Sequence, residues 1–260
     1  MPASKRLLNK VAIITGAANG IGLSISEAFV KEGANIVMAD IDERKCKSEA
    51  TRLAKHGTKV LAYFCDVALR EDILALTEAT IKAFGRIDIL VNNAAVAIDG
   101  NIMDMPENRW DRLMDTNLKS VFRTIQAVLP FMVAEKSGAV INLSSTQAFR
   151  SWDNWTAYAA AKGAICSMTT QLAGQFGKDN IRFNTISPGA IMTPMNEQRA
   201  KEEGPDFLSK SAAMHALLRL GTPGEVAMTA VFLASDEAGF ISGADIRVDG
   251  GLSVLPRFFE

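Results

Sequence analysis

A glycine-rich turn between an apolar strand and an amphipathic helix constrains this chain more than any other feature. Residues 10–15 are apolar and rich in β-branched side chains, which is typical of a buried parallel strand. The turn Gly16-Ala17-Ala18-Asn19-Gly20-Ile21-Gly22 follows, and residues 23–32 then show a helical pattern with one apolar stripe. The unpaired N–H groups and positive dipole at such a helix start favour a phosphate, so this unit predicts dinucleotide binding.

Strand and helix patterns alternate along the rest of the chain without a linker. Further strands are predicted at residues 35–40, 59–65, 87–92, 139–143, 181–187 and 245–248. Helices are predicted at residues 70–84, 106–135, 158–176 and 223–234, and Pro130 should bend or restart the second of these. The alternation predicts an α/β fold in which helices cover both faces of a parallel sheet, in one domain over residues 1–260.

A tyrosine and a lysine four residues apart, Tyr158 and Lys162, project from one face of a predicted helix. A tyrosine normally has a pKa of about 10, and a nearby ammonium should lower that pKa toward the working range of an acid/base catalyst. The pair alone is weak evidence, but Ser144 and Ser145 end a predicted strand upstream of it.

Together, the turn Thr-Gly-x-x-x-Gly-x-Gly, the serine pair and Tyr-x-x-x-Lys resemble the short-chain dehydrogenase/reductase family, in its compact single-domain form. The resemblance covers nearly the whole chain, from residue 11 to residue 251. It implies a Rossmann-like, doubly wound domain with seven parallel strands in the order 3-2-1-4-5-6-7. It also implies reversible hydride transfer between a nicotinamide and a secondary alcohol or ketone.

The resemblance assigns a catalytic tetrad. Tyr158 is the acid/base, Lys162 lowers its pKa and binds the nicotinamide ribose, and Ser145 orients the substrate oxygen. Asn117, inside the helix predicted at residues 106–135, distorts that helix and completes a proton relay through water. A nucleophilic serine is rejected, because neither His56 nor His215 is placed as its base; both histidines are expected to be structural or exposed.

Asp40, the acidic residue that ends the second predicted strand, bears on the choice between NAD and NADP. A carboxylate there accepts hydrogen bonds from the ribose hydroxyls and repels a 2′-phosphate, which favours NAD over NADP. Arg44 and Lys45 follow closely, and they are expected to be solvated helix residues, although either could reach a phosphate.

The other cofactor contacts are implied by the resemblance. Asp66 holds the adenine, with a helix cap as its structural alternative, and Ala95 replaces a glycine usual after Asn-Asn-Ala. The segment after the sixth strand holds the nicotinamide carboxamide. The predicted cofactor residues are Gly16, Asn19, Gly20, Ile21, Gly22, Asp40, Ile41, Asp66, Val67, Asn93, Ala94, Tyr158, Lys162, Pro188, Gly189, Ile191 and Thr193.

The substrate is expected between residues 146–155 and a helical lid at about residues 190–220. The predicted substrate contacts are Ser145, Gln147, Trp152, Trp155, Tyr158 and Met195. The tryptophans suggest an apolar or ring-shaped wall, unless one of them packs in the core or at a subunit interface. An aromatic alcohol, a steroid-like ring, a polyol and a 3-oxoacyl thioester all remain open.

Composition excludes other classes of partner. A net charge of −1 gives no electrostatic reason to expect nucleic acid or an anionic membrane, and no apolar stretch is long enough to span a bilayer. Cys46, Cys65 and Cys166 lack metal-ligand spacing and are expected to be reduced thiols, two of them buried. With no secretory signal in the first nine residues, we expect a cytoplasmic protein that holds no metal.

The C-terminal residues bear on how the chain assembles. Residues 241–251 resemble the family's assembly region, and the apolar tail at 252–259 fits burial against another subunit, so a homotetramer is expected. Two other classes of protein function remain as alternatives. One is a dinucleotide-binding sensor without turnover. The other is a nucleotide-sugar epimerase or dehydratase, which is not expected here because such proteins normally have a differently spaced glycine turn and a longer C-terminal substrate domain.

Overall fold

The computed structural model describes residues 5–254 of the chain. Its seven strands are β1 Val11–Thr15, β2 Asn35–Asp40, β3 Val60–Phe64, β4 Ile89–Asn92, β5 Gly138–Leu143, β6 Ile181–Pro188 and β7 Asp245–Val248. All pair in parallel in the order β3-β2-β1-β4-β5-β6-β7, which confirms the predicted fold and strand order. The predicted tail contact at residues 255–259 lies outside the described residues.

Nine α-helices occur in the described part of the chain. They are α1 Gly20–Lys31, α2 Glu43–Leu53, α3 Arg70–Phe84, α4 Glu107–Met114, α5 Ser120–Glu135, α6 Thr156–Phe176, α7 Pro194–Glu203, α8 Phe207–Ala213 and α9 Pro223–Ala234. A π-helical turn, Asp115–Lys119, joins α4 to α5. Short 3-10 turns lie at Ala54–His56, Thr146–Ala148, Gly177–Asp179 and Asp236–Ala238.

Helices cover both faces of the sheet because successive strand residues point to opposite sides. Ile14 packs with Ile25 of α1 in one buried layer, while its neighbour Ile13 belongs to the other layer with Ile73 of α3 and Ile165 of α6. Strands buried on both faces explain the near-continuous apolar runs in the sequence.

The helix predicted at residues 106–135 differs in detail from expectation. Helix α5 continues through Pro130 to Glu135, so the chain does not restart there. The irregularity lies earlier, in the π turn that contains Asn117. No helix in the part of the chain that the structure describes combines the length and apolar character needed to cross a membrane.

Candidate active site

The carboxyl ends of the strands border a cavity of about 870 Å³, with the glycine turn at one end and helices α7 and α8 at the other. Nearly all the predicted site residues line it. They are Gly16, Asn19, Gly20, Ile21, Asp40, Ile41, Asp66, Val67, Asn93, Ala94, Ser145, Gln147, Trp152, Trp155, Tyr158, Lys162, Pro188, Gly189, Ile191, Thr193 and Met195. Two predicted residues, Gly22 and Asn117, are not on its wall.

The glycine turn packs tightly against the end of β4. Gly16 has φ +64° and Gly20 has φ +51°, values that favour glycine. A Cβ atom on Gly22 would collide with the Gly16 carbonyl oxygen and the Asn93 amide, so Gly22 acts by close packing and not by touching a ligand. Asn93 Nδ2 donates to the carbonyl oxygens of Thr15 and Gly16, each at 3.0 Å. This cradle of bare backbone before the N-terminus of α1 fits a pyrophosphate.

Asp40, at the end of β2, is tied to the same turn. Its Oδ2 accepts from the Ala18 N–H at 2.8 Å, and its Oδ1 accepts from the Asp42 N–H at 2.9 Å. Lys45 is a half-buried residue of α2, and its ammonium donates to Oδ1 of Asn19 in the glycine turn, a contact that the sequence did not predict. Arg44 is exposed, as expected.

Asp66 follows β3, and its carboxylate lines the cavity. Its Oδ1 accepts from the Ala68 N–H at 2.9 Å, which closes a local turn. The N-cap of α3 is Leu69, so Asp66 is not the cap of that helix. This contact leaves the predicted role toward an adenine compatible with the structure.

The segment after β6 forms another part of the cavity wall. Ile191 is buried, and its carbonyl oxygen accepts from Asn196 Nδ2 at 2.8 Å. Thr193 caps α7 by accepting from the Asn196 N–H at 3.4 Å. His215, buried below this segment, accepts from the Ala190 N–H through Nε2 at 3.0 Å, which gives it the structural role expected of it.

Three of the four predicted catalytic residues meet on the cavity wall. Lys162 is buried, and its Nζ lies 5.5 Å from the centroid of the Tyr158 ring while donating to the Leu143 carbonyl oxygen at 2.7 Å. Tyr158 hydrogen-bonds with Ser145. Ser145 caps the 3-10 turn Thr146–Ala148, its Oγ accepting from the Gln147 N–H at 3.2 Å. Ser144 instead donates to the Lys162 carbonyl oxygen at 2.9 Å, a structural role.

The pKa of Tyr158 is raised in the structure, whereas the sequence predicted that it would be lowered. Burial raises it to about 12, and the hydrogen bond with Ser145 lowers it only partly. Burial also lowers the pKa of Lys162 to about 8, an effect that the neighbouring Cys166 partly opposes. The net shift of the Tyr158 pKa is therefore upward and not downward as predicted, because burial of the hydroxyl is its largest cause.

Asn117 is fully buried in the π turn, and its side chain faces the chain after β4. Its Oδ1 accepts from the Val96 N–H at 2.8 Å, and its Nδ2 donates to the Val96 carbonyl oxygen at 2.9 Å. The helix is distorted at this residue, as predicted. Through these two hydrogen bonds Asn117 holds Val96 on the cavity wall, and the predicted relay through water stays a prediction.

The end of the cavity near α7 and α8, where the substrate is predicted, has an aromatic wall in contact with a cation. Trp155 is 9% exposed and meets the Tyr158 ring edge-on, with centroids 5.5 Å apart. The guanidinium of Arg199, from α7, lies 4.9 Å from the centroid of the Trp155 ring and 5.1 Å from that of Phe207 in α8. Arg199 thus joins α7 and α8, the predicted lid, to the wall that carries Tyr158.

Sequence reasoning missed several residues on this wall. Arg112 of α4, Arg199 of α7, Val96 and Ala97 all line the cavity. Arg199 could have been found, since it lies four residues after Met195 and so shares its helix face. Arg112, Val96 and Ala97 carried no local signal, because the tertiary fold alone brings them to the cavity.

Comparisons with known proteins agree with this geometry. A family model described as enoyl-(acyl carrier protein) reductase matches residues 16–253. The chain is 37% identical over 249 residues to 3-oxoacyl-[acyl-carrier-protein] reductase FabG of Thermotoga maritima, covering 96% of this chain and 100% of that protein. It is 39% identical over 257 residues to oxidoreductase UcpA of Salmonella typhimurium, covering 97% of both. The crystal structure of gox2181 superposes with a TM-score of 0.92 at 31% identity, covering 97% of this chain and 98% of that one.

The fold and the site define a nucleotide-binding oxidoreductase. The chain belongs to the short-chain dehydrogenase/reductase family, whose members bind a nicotinamide dinucleotide and act on alcohol or ketone groups.

Proposed function

We propose that this chain is an NAD-linked alcohol dehydrogenase or ketoreductase that uses Tyr158 as its acid/base. One observation carries the proposal: a single cavity is lined by the glycine cradle at one end and by Ser145, Tyr158 and Lys162 at the other. A dinucleotide laid along it would reach from Asp40 to the catalytic residues, which the sequence separates by more than a hundred positions.

Tyr158 moves the proton in this proposal. In oxidation its phenolate oxygen takes the proton of the substrate hydroxyl, and in reduction its hydroxyl returns a proton to the substrate oxygen. A bound nicotinamide supplies or accepts the hydride, and its positive charge in the oxidised form favours the phenolate. Ser145 donates a hydrogen bond to the substrate oxygen and steadies the charge that develops there.

Lys162 contributes charge beside the reacting tyrosine. Its pKa of about 8 leaves it mostly protonated near neutral pH, so an ammonium remains 5.5 Å from the ring where phenolate character develops. Its hydrogen bond to the Leu143 carbonyl oxygen fixes the position of that charge. Asn117 acts by positioning, since it fixes Val96 against the cavity.

NAD is the proposed preferred cofactor because Asp40 lies at the adenosine end. Its carboxylate is fixed by two backbone N–H groups, so it cannot swing away from a 2′-phosphate without breaking them. Repulsion between the carboxylate and that phosphate lowers affinity for NADP.

A secondary alcohol or ketone is the proposed substrate. A 3-oxoacyl thioester is a second candidate, favoured by the names of the Thermotoga maritima and Chlamydia muridarum relatives, both 3-oxoacyl-[acyl-carrier-protein] reductases. A homotetramer in the cytoplasm is proposed as the working form, and the three free cysteines suit a reducing compartment.

The test is turnover by the purified full chain with NAD and, separately, NADP. Reduced nicotinamide absorbance is followed over cyclic, aromatic, steroid and polyol alcohols, and the corresponding ketones and a 3-oxoacyl thioester are run in reverse. Turnover with NAD on at least one member supports the proposal. Tight NAD binding without turnover on any member would favour the sensor function, and turnover with NADP alone would refute the NAD preference.

A further inference from the structure

The buried His215 contacts the cavity wall from behind. Its side chain does not border the cavity of about 870 Å³, whereas Gly189 and Ala190 do. The Ala190 N–H donates to His215 Nε2 at 3.0 Å. The ring also lies close to Gly189, where an added Cβ atom would stand 2.7 Å from Nε2. His215 therefore touches two consecutive residues of the wall without reaching the space that a ligand would occupy.

The partners of the two ring nitrogens fix the form of the imidazole. The Ala190 N–H can only donate, so Nε2 must offer a lone pair. Nδ1 lies 2.8 Å from the Ser211 carbonyl oxygen, which can only accept, so Nδ1 carries the proton. The neutral ring thus joins Ser211 of α8 to the segment after β6.

The rest of this segment is held by backbone hydrogen bonds. The Gly189 N–H donates to the Val248 carbonyl oxygen at 3.0 Å. The Ala190 carbonyl oxygen accepts from the Gly221 N–H at 2.9 Å, and the Met192 N–H donates to the Gly221 carbonyl oxygen at 2.8 Å. His215 adds a side-chain acceptor for the one backbone N–H in the middle of these contacts.

Ala190 and Ile191 border open space on two sides. They line the main cavity and also a second cavity of about 300 Å³, whose wall includes His215. Close packing therefore does not hold this stretch from both sides, and hydrogen bonds contribute more to its position. Without the acceptor on His215, the Ala190 N–H would lose its partner and the stretch would have room to shift.

We propose that His215 is a positioning residue for the nicotinamide end of the cofactor. Its Nε2 lone pair holds Ala190, and with it residues 188–193, in the conformation that receives the nicotinamide. The proposal rests on the dinucleotide cofactor of the proposed function, for which these residues are predicted to bind the nicotinamide carboxamide. A segment that is fixed before binding loses less conformational freedom when the cofactor arrives, so this hydrogen bond raises affinity.

Two substitutions separate the two hydrogen bonds of the ring. In His215→Gln the side-chain oxygen is attached to Cδ, so it can replace Nε2 as the acceptor for Ala190. In His215→Asn the amide nitrogen is attached to Cγ, as Nδ1 is, so it can keep the bond to the Ser211 carbonyl oxygen but cannot reach Ala190. His56→Asn, at an exposed histidine, is the matched control.

Calorimetry on the full chain measures the binding of NADH and of ADP-ribose, which lacks the nicotinamide. In His215→Asn the Kd for NADH should rise at least about fivefold, the size of one lost hydrogen bond, while the Kd for ADP-ribose changes less than about twofold. His215→Gln and His56→Asn should keep both Kd values within about twofold of wild type.

Three results with the variants would overturn the assignment. Equal losses for NADH and ADP-ribose in His215→Asn would show that the ring only supports the fold. An unchanged Kd for NADH in that variant would show that the bond to Ala190 does not serve the cofactor. A loss in His215→Gln as large as that in His215→Asn would assign the effect to ring packing or to the Ser211 contact.

One further measurement needs no variant. The nitrogen NMR shifts of the wild-type His215 ring should show a protonated Nδ1 and an unprotonated Nε2, both with and without NADH. A proton on Nε2 would remove the acceptor and refute the proposal. None of these measurements depends on turnover, so a failed oxidoreductase assay would not be confused with them.

Discussion

Replacing Lys162 by Met should stabilise the protein near neutral pH while removing its activity. Burial lowers the Lys162 pKa from 10.5 to about 8, so keeping the ammonium charged in the fold costs roughly 3 kcal/mol at pH 7, at about 1.36 kcal/mol per pKa unit. The variant avoids that cost, but it loses the hydrogen bond to the Leu143 carbonyl oxygen, which destabilises it by roughly 1–2 kcal/mol. The variant should therefore be about 1–2 kcal/mol more stable than the wild type.

The difference in stability between Lys162→Met and the wild type should change with pH. Because the folded pKa lies below the unfolded one, the wild type gains stability as pH rises from about 8 toward 10.5, while the variant does not. The advantage of Lys162→Met should thus shrink by roughly 2–3 kcal/mol between about pH 7 and pH 10, and it should reverse in sign.

Urea unfolding of both proteins at the two pH values measures this difference. Lys82→Met, at an exposed lysine of α3, is the control for the loss of a lysine and should show no such pH dependence. A constant difference between Lys162→Met and wild type at both pH values would refute the buried-charge reasoning.

Three further perturbations test other parts of the structure. Gly22→Ala should weaken NADH binding at least about tenfold and lower the urea midpoint, because the added Cβ would collide with the backbone of Gly16. An NADH titration identical to that of wild type would contradict this. Arg199→Met should raise the substrate KM several-fold and leave the NADH Kd unaltered, because it removes a cation–π contact with Trp155 worth about 0.5–2 kcal/mol. An equal change in both constants would argue against a role at the substrate end. Asp88→Asn should lower the free energy of unfolding in urea by roughly 2–4 kcal/mol, because the buried carboxylate binds Arg86 and the Val11 N–H. The kcat should not change. A urea midpoint within error of wild type would refute this prediction.

The sequence predicted the architecture well because its signals are local. Apolar runs closed by glycine or a polar residue mark the strands, and their alternation with helical stripes leaves few topologies. The glycine turn, Asp40 and the Tyr158 pair were placed at strand ends, where the structure finds the cavity.

What the sequence could not supply depends on contacts between distant segments. The reach of Lys45 to Asn19 requires the relative placement of α1 and α2, and the two hydrogen bonds of Asn117 require the chain after β4. The raised Tyr158 pKa follows from burial, which spacing alone does not reveal. Pro130 lies within a continuous helix, although its propensity predicts a break.

The most direct test of the account compares NADH binding and turnover in Tyr158→Phe with those of wild type, on the best substrate of the alcohol panel. Phenylalanine keeps the ring against Trp155 and removes only the hydroxyl that hydrogen-bonds with Ser145. The account predicts an NADH Kd within about twofold of wild type and a kcat reduced by at least about a hundredfold, the low end for loss of an acid/base group. A Tyr158→Phe enzyme that keeps substantial kcat would contradict it, because the proton would then move through another group.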